Sequence, residues 1–187
     1  MLAVIDNYDS FTFNLVHYLQ EFEEQVVVYR NDQVSLKELE IYSHIVISPG
    51  PGLPKDIPFL NELFKAFIAK KKILGVCLGM QALIEFYQGS LYNLPEVLHG
   101  RQGSCFISEQ DPIFKGIASP FLIGHYHSWG VNDEGMPDQL HILARDSKER
   151  IMMVKNEKDM VYGIQFHPES VLCPEGKKML YNWLKEC

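Results

Sequence analysis

Four short apolar runs alternate with helical patterns in the first half of this chain, and no other feature narrows the fold as far. They are Leu2-Ala3-Val4-Ile5, Val26-Val27-Val28-Tyr29, Ile45-Val46-Ile47 and Ile73-Leu74-Gly75-Val76. Continuous runs of this length suit strands covered on both faces. Between them, apolar residues return at the helical period. Leu15, Val16, Leu19 and Phe22 mark a helix capped by Ser10 and running to about Glu23. Ser35 starts a short helix. Leu60, Leu63, Phe64, Phe67 and Ile68 mark a helix from about Ile57 to Lys71, and another runs from Leu78 to about Tyr87. Strands joined by helices predict an α/β fold: an open, mostly parallel sheet with helices on both faces, in three layers. The second half reads differently. Strands over Gly103 to Ser108, Phe121 to Val131, His141 to Arg145, Ile151 to Lys155 and Val161 to Phe166 are joined by turns, some antiparallel. A last helix runs from about Pro174 to Lys185, with Pro174 in its first turn.

At 187 residues the chain reads as one domain, 1–187, with no repeat or linker to divide it. Such a chain can build its core without a metal or disulfides. Lys and Arg number 17 against 24 Asp and Glu, a net charge of −7, which argues against a surface that tracks nucleic-acid phosphates. The one basic run, Lys70-Lys71-Lys72, reads as a solvated helix end. No apolar stretch reaches the roughly 18 residues of a membrane span, and Met1 to Asp6 run directly into structure without a leader pattern. Cys77, Cys105, Cys173 and Cys187 fit neither a disulfide framework nor a Cys-x-x-Cys zinc site, and suit the reducing cytoplasm.

In open α/β sheets the ligand crevice lies beyond the carboxyl ends of the strands. Four unusual segments fall there: Asn7-Tyr8-Asp9-Ser10, Ser48-Pro49-Gly50-Pro51-Gly52, Cys77 and His167-Pro168-Glu169. Gly75-Val76-Cys77-Leu78-Gly79 sets a cysteine between strand and helix with glycines two residues to either side, the logic of a nucleophile elbow. A lone cysteine on an apolar strand is more often inert, but the glycine frame and the position favour a nucleophile. A free thiol is only a few per cent ionised at neutral pH, and a helix N-terminus with a nearby imidazole favours the anion. His167 follows an apolar strand, and Glu169, two residues on, can share its side and fix its tautomer. The alternative for Glu169 is an acidic residue near the start of the last helix. The stiff loop at 48–52 exposes glycine N–H groups; with the N–H of Leu78 it can form an oxyanion hole, although Pro-Gly pairs are usually ordinary turns.

His125 and His127, with His99 or His141, lack the carboxylate or cysteine that would complete a metal site, so no metal is expected. No phosphate-cradling Gly-x-x-x-x-Gly-Lys motif is present, and neither ATP nor a nicotinamide is implied; no cofactor is expected in this chain.

Ser-Pro-Gly-Pro-Gly at 48–52, Gly-Val-Cys-Leu-Gly-Met-Gln at 75–81 and Gln-Phe-His-Pro-Glu-Ser at 165–170 together resemble the class I (triad-type) glutamine amidotransferases, over most of the chain. Asp6 to Thr12, His99-Gly100-Arg101 and Tyr126-His127-Ser128 are most similar to the small subunits of anthranilate synthase and para-aminobenzoate (aminodeoxychorismate) synthase. The resemblance implies a flavodoxin-like amidotransferase fold with a smaller antiparallel section, and an enzyme that releases ammonia from glutamine through a Cys77–His167–Glu169 triad. It implies an oxyanion hole at Gly52 and Leu78. It also implies glutamine binding by Gly50, Pro51, Gly52, Gln81 and the backbone around Ser128 and Trp129. Ammonia would pass to a chorismate-binding large subunit on the way to tryptophan or folate. Asn7, Tyr8, Asp9, Ser10, His99 and Arg101 are the implied partner contacts; no nucleic acid or membrane is. Two residues depart from the family's pattern: Met80 stands where His is frequent, and Trp129 where Leu is common after Tyr-His-Ser. Competing readings are an amidotransferase for another acceptor, a γ-glutamyl hydrolase and a non-catalytic binding module.

Overall fold

The computed structural model describes all 187 residues. Strand β1 (Leu2–Asp6) leads into α1 (Thr12–Gln20), β2 (Val26–Arg30), the one-turn α2 (Leu36–Leu39), β3 (His44–Ile47), α3 (Pro58–Phe67), β4 (Lys72–Val76) and α4 (Leu78–Phe86). Five strands follow: β5 (Leu91–Ile107), β6 (Phe121–Val131), β7 (His141–Asp146), β8 (Ile151–Asn156) and β9 (Val161–Ile164). Helix α5 (Gly176–Lys185) closes the chain. All nine strands join one sheet in the order β2-β1-β3-β4-β9-β8-β7-β5-β6. The first five in that order pair in parallel, and β8, β7, β5 and β6 extend the sheet by antiparallel pairing.

Alternate side chains of a strand face opposite ways, and β1 shows how this builds three layers. Leu2 and Val4 join a core with Leu15 and Leu19 of α1 and Met179, Leu180 and Trp183 of α5. Ala3 and Ile5 join a second core with Leu60, Leu63 and Phe64 of α3 and Leu83 and Ile84 of α4. Each Leu or Phe fully removed from water contributes roughly 1.5–3 kcal/mol, so both faces of the inner parallel strands are strongly specified, whereas β2 at the sheet edge is only partly covered. The carboxyl ends of β1, β3, β4 and β9 consequently open on one edge, where the four unusual segments meet.

Several boundaries differ from the sequence reading, each for a local reason. Ser10 does not cap α1. No side chain caps the helix; the buried carboxylate of Asp6 instead fixes the turn ahead of it, its Oδ1 accepting from the Tyr8 N–H at 2.9 Å and the Thr12 hydroxyl at 2.9 Å, and the helix starts at Thr12 and ends at Gln20. Ser35 does cap α2, in a reciprocal box with Glu38. Helix α3 stops at Phe67 because Ile68 turns to an extended ψ of 139°. The basic run is accordingly not one solvated helix end. Lys70 caps the Ala66 carbonyl, Lys71 reaches the carbonyls of Glu40 and Tyr42, and Lys72 opens β4. Strand β5 begins at Leu91, far ahead of Gly103, with register shifts around Pro95 and Gly100 that hide its alternation. Pro174 precedes α5 rather than entering it.

Candidate active site

Cys77 stands between the end of β4 and the start of α4 with φ 52° and ψ −101°, a conformation non-glycine residues seldom adopt. Its N–H donates to the Ile164 carbonyl at 2.6 Å, and its carbonyl accepts from Gln81 at 3.0 Å. The turn is thereby pinned to β9 on one side and to α4 on the other. The glycine frame works as the sequence suggests: a Cβ on Gly75 or Gly79 would strike backbone. The thiol is buried, at the N-terminal end of a helix whose first N–H groups have no helical acceptor.

His167 and Glu169 follow β9 and face this turn. Nδ1 of His167 donates to Oε1 of Glu169 at 2.7 Å, and both side chains are almost wholly buried. That bond leaves Nε2 as the working nitrogen, and no other protein group bonds it. Burial works against a charge on His167, but the Cys77 and Glu169 side chains outweigh it and push its pKa up to about 10. The aromatic rings of Tyr126 and Phe11 pack on the imidazole with centroids 4.9 and 5.8 Å away. The segment is fixed from behind by α5: a Cβ on Gly176 would lie 1.9 Å from the Pro168 carbonyl oxygen. Cys105 and Cys173 have no such surroundings. Both are buried, which pushes their thiols up, Cys173 to about 12.

The loop at 48–52 follows β3 and is held by Asn7. The Asn7 N–H donates to Ser48 Oγ at 2.9 Å, its Nδ2 donates to the Ser48 carbonyl at 2.8 Å, and its Oδ1 accepts from Asn31 at 2.9 Å. Gly50 is pressed between Asn7 and Leu78, and Gly52, with φ +80°, donates no backbone hydrogen bond. Gly52, on this loop, and Leu78, next to the nucleophile in sequence, both leave their backbone N–H without a backbone acceptor. Asn7 itself is 2% exposed, which removes it from the predicted partner contacts: its polar atoms are spent inside the protein. Tyr8 and Ser10 are exposed and Asp9 is half-buried. His99 and Arg101 are also exposed, on β5, and Arg101 pairs with Glu96 at 2.7 Å.

Gln81 sits one helical turn after Cys77 and is 4% exposed. Its Nε2 donates to Gln165 Oε1 at 3.2 Å and to the Trp129 carbonyl at 3.4 Å, joining it to the strand that carries Ser128 and Trp129. The sequence reading gave no role to Gln165, yet its polar side chain is fully buried against Cys77. A glutamine inside the run Val161 to Phe166 was the available signal. His125 and His127 bond each other at 3.2 Å, and no group of three or more His, Cys, Asp or Glu is gathered to hold a metal.

A cysteine on a strained strand–helix turn and an imidazole oriented by a buried carboxylate can attack a carbonyl, and a helix N-terminus with unbonded N–H groups can stabilise the oxyanion that results. The sequence pattern of the family described as glutamine amidotransferase class-I matches residues 3–187. The chain belongs to this family. Among relatives of this amidotransferase is a Haemophilus influenzae protein provisionally named anthranilate synthase component II, 42% identical over 98% of this chain and 95% of its own length. The Bacillus subtilis aminodeoxychorismate/anthranilate synthase component 2 is 37% identical, covering 99% and 96%. The Escherichia coli aminodeoxychorismate synthase component 2 is 35% identical, covering 98% and 99%. The fold also matches a solved glutamine amidotransferase of Thermotoga maritima, with TM-score 0.83 at 15% identity over 98% and 96% of the two chains. Met80 of this amidotransferase is fully buried in the second core, against Gly163. No helix of the chain is long and apolar enough to cross a membrane.

Proposed function

We propose that this chain hydrolyses the side-chain amide of glutamine at Cys77 and passes the ammonia to a chorismate-binding synthase subunit, for anthranilate or aminodeoxychorismate formation. The observation that carries the chemistry is the placement of Cys77 on its strained turn beside a His167 that Glu169 orients at 2.7 Å. The acceptor side rests on the names of the three relatives, each of which is a synthase component that matches this chain over nearly its whole length.

In this reading Cys77 Sγ attacks the amide carbon of glutamine, and the oxyanion accepts from the N–H groups of Gly52 and Leu78. His167 protonates the nitrogen as the carbon–nitrogen bond breaks, which releases ammonia and leaves a γ-glutamyl thioester. His167 then takes a proton from water, the resulting hydroxide attacks the thioester, and glutamate and the thiol return. A His167 pKa pushed up to about 10 suits a group that must hold a proton for the leaving amine at neutral pH. Gln81, Gly50, Pro51 and the backbone of Ser128 and Trp129 surround the amino-acid end of the substrate. The chemistry so written uses no metal and no cofactor in this chain. Its four free cysteines suit a reducing cytoplasm. Because unregulated hydrolysis would waste glutamine, the lone chain is weakly active and is switched on when the large subunit docks over Tyr8 to Ser10, His99 and Arg101.

Rapid acid quench of the chain with glutamine tests the chemistry. A γ-glutamyl adduct on the Cys77 peptide, missing in Cys77→Ala, is expected. Glutamate production that persists in Cys77→Ala would overturn the reading, and preference for longer γ-glutamyl substrates would favour a γ-glutamyl hydrolase.

A further inference from the structure

We infer that Gln165 is a positioning residue that ties the Cys77 sulfur to the orientation of Gln81, so that the nucleophile and the grip on the substrate's amino-acid end are set together. The inference rests on the glutaminase reading above and deepens it. Gln165 is fully buried just beyond β9 and lies between the two groups. Its Nε2 donates to Cys77 Sγ at 3.6 Å, a hydrogen-bonding separation for the large sulfur atom, while Gln81 Nε2 donates to a Gln165 side-chain oxygen at 3.2 Å.

A side-chain amide has one donating end and one accepting end. Gln165 turns its donating end to the Cys77 sulfur, and that bond fixes which way its amide points. Gln165 then presents its oxygen to Gln81, which fixes Gln81 in turn with Nε2 inward. The second N–H of Gln81 goes to the Trp129 carbonyl at 3.4 Å. That carbonyl also accepts from Nδ1 of His127 at 2.8 Å, so both of its lone pairs are engaged. The Oε1 of Gln81 is the acceptor left over, with no protein donor bonded to it. It is the atom to receive the α-ammonium group of glutamine. A pocket with Gln81 reversed would offer that ammonium a second donor and repel it.

Two reagents separate the two ends of this relay. Iodoacetamide reports on the sulfur alone, whereas the glutamine-shaped diazoketone 6-diazo-5-oxo-L-norleucine also needs the amino-acid grip. Gln165→Met keeps the volume and removes both hydrogen bonds. It should slow iodoacetamide capture of Cys77 at pH 7 about tenfold, move the midpoint of the capture's pH profile upward, and raise the half-saturating diazoketone concentration several-fold. Gln165→Glu, which replaces the donor by a second anion beside the sulfur, should move that midpoint further. Thermal melting of both variants reports on folding. A pH profile and diazoketone saturation unchanged from wild type, in either variant that folds, would overturn the inference and leave the glutaminase reading standing. Failure of the diazoketone to label Cys77 in the wild-type chain would overturn both.

Discussion

Gly75 and Gly79 touch across the turn that carries Cys77: a Cβ on Gly75 would lie 2.4 Å from the carbonyl carbon and oxygen of Gly79. A Cβ on Gly79 would lie 2.7 Å from the Ile47 carbonyl oxygen. In both cases the obstacle is backbone, which cannot swing aside as a side chain can. The two glycines are therefore what lets a parallel strand turn into α4 tightly enough to lift Cys77 above the sheet. Overpacking a core of this kind costs about 1–3 kcal/mol or more. Gly75→Ala is expected to lower Tm by several degrees and to cut diazoketone labelling of Cys77 by about a hundredfold or more, from the lost alignment. Labelling at the wild-type rate would show that the elbow tolerates a wider turn.

Asn7 links β1 to the loop that supplies Gly52. Its three hydrogen bonds are buried, so Asn7→Ala leaves the Ser48 carbonyl and the Asn31 amide without their partner, at about 1–3 kcal/mol each before relaxation. The loop then loses its fixed approach to the nucleophile. A kcat for glutamate release reduced about tenfold or more, with KM changed much less, is expected from the loss of an aligned oxyanion donor. A change confined to KM would place Asn7 in substrate binding instead.

The His167–Glu169 pair gives stability a definite dependence on pH. The folded pKa of His167 lies near 10, above the ordinary value of 6.5, so the folded chain holds a proton that the unfolded chain gives up first. Its contribution is complete below about pH 6.5 and is lost as pH rises through about 10. Glu169→Gln removes one of the two groups that raise this pKa. Urea unfolding at pH 6.5, 8 and 10 should show a smaller decline in the variant than in wild type, together with at least a tenfold fall in glutaminase kcat. Equal slopes would mean that Glu169 does not hold the imidazolium.

Arg101 is the cleanest probe of the docking surface. It is 55% exposed and paired only with the equally exposed Glu96, so changing it puts little folding energy at stake. Arg101→Glu is expected to weaken binding of the chorismate-using subunit about tenfold, with most of the change in the association rate at low salt. Unchanged affinity would remove β5 from the interface.

The sequence carried the parallel half well because a strand covered on both faces must be apolar throughout, and Leu2 to Ile5, Ile45 to Ile47 and Ile73 to Val76 are. It carried the positions of Cys77, His167 and Glu169 because motif and topology point to the same edge of the sheet. The first part of β5, ahead of the predicted Gly103, escaped because it pairs outside the two-faced core and breaks its alternation at Pro95 and Gly100. Asn7 was misplaced on the surface because nothing in a polar turn says which amide faces inward; that depends on Ser48, 41 residues away. Gln165 was missed because its role exists only once β4, β9 and α4 are side by side.

The measurement that bears most directly on the whole account is glutamate release from glutamine, first with the chain alone and then with each chorismate-using large subunit of the same organism, in wild type and Cys77→Ala. The account predicts slow release alone, strong stimulation by at least one large subunit with matching formation of its aminated product, and no release from Cys77→Ala in any mixture. Wild-type release that no large subunit stimulates, or stimulated release that survives Cys77→Ala, would contradict it.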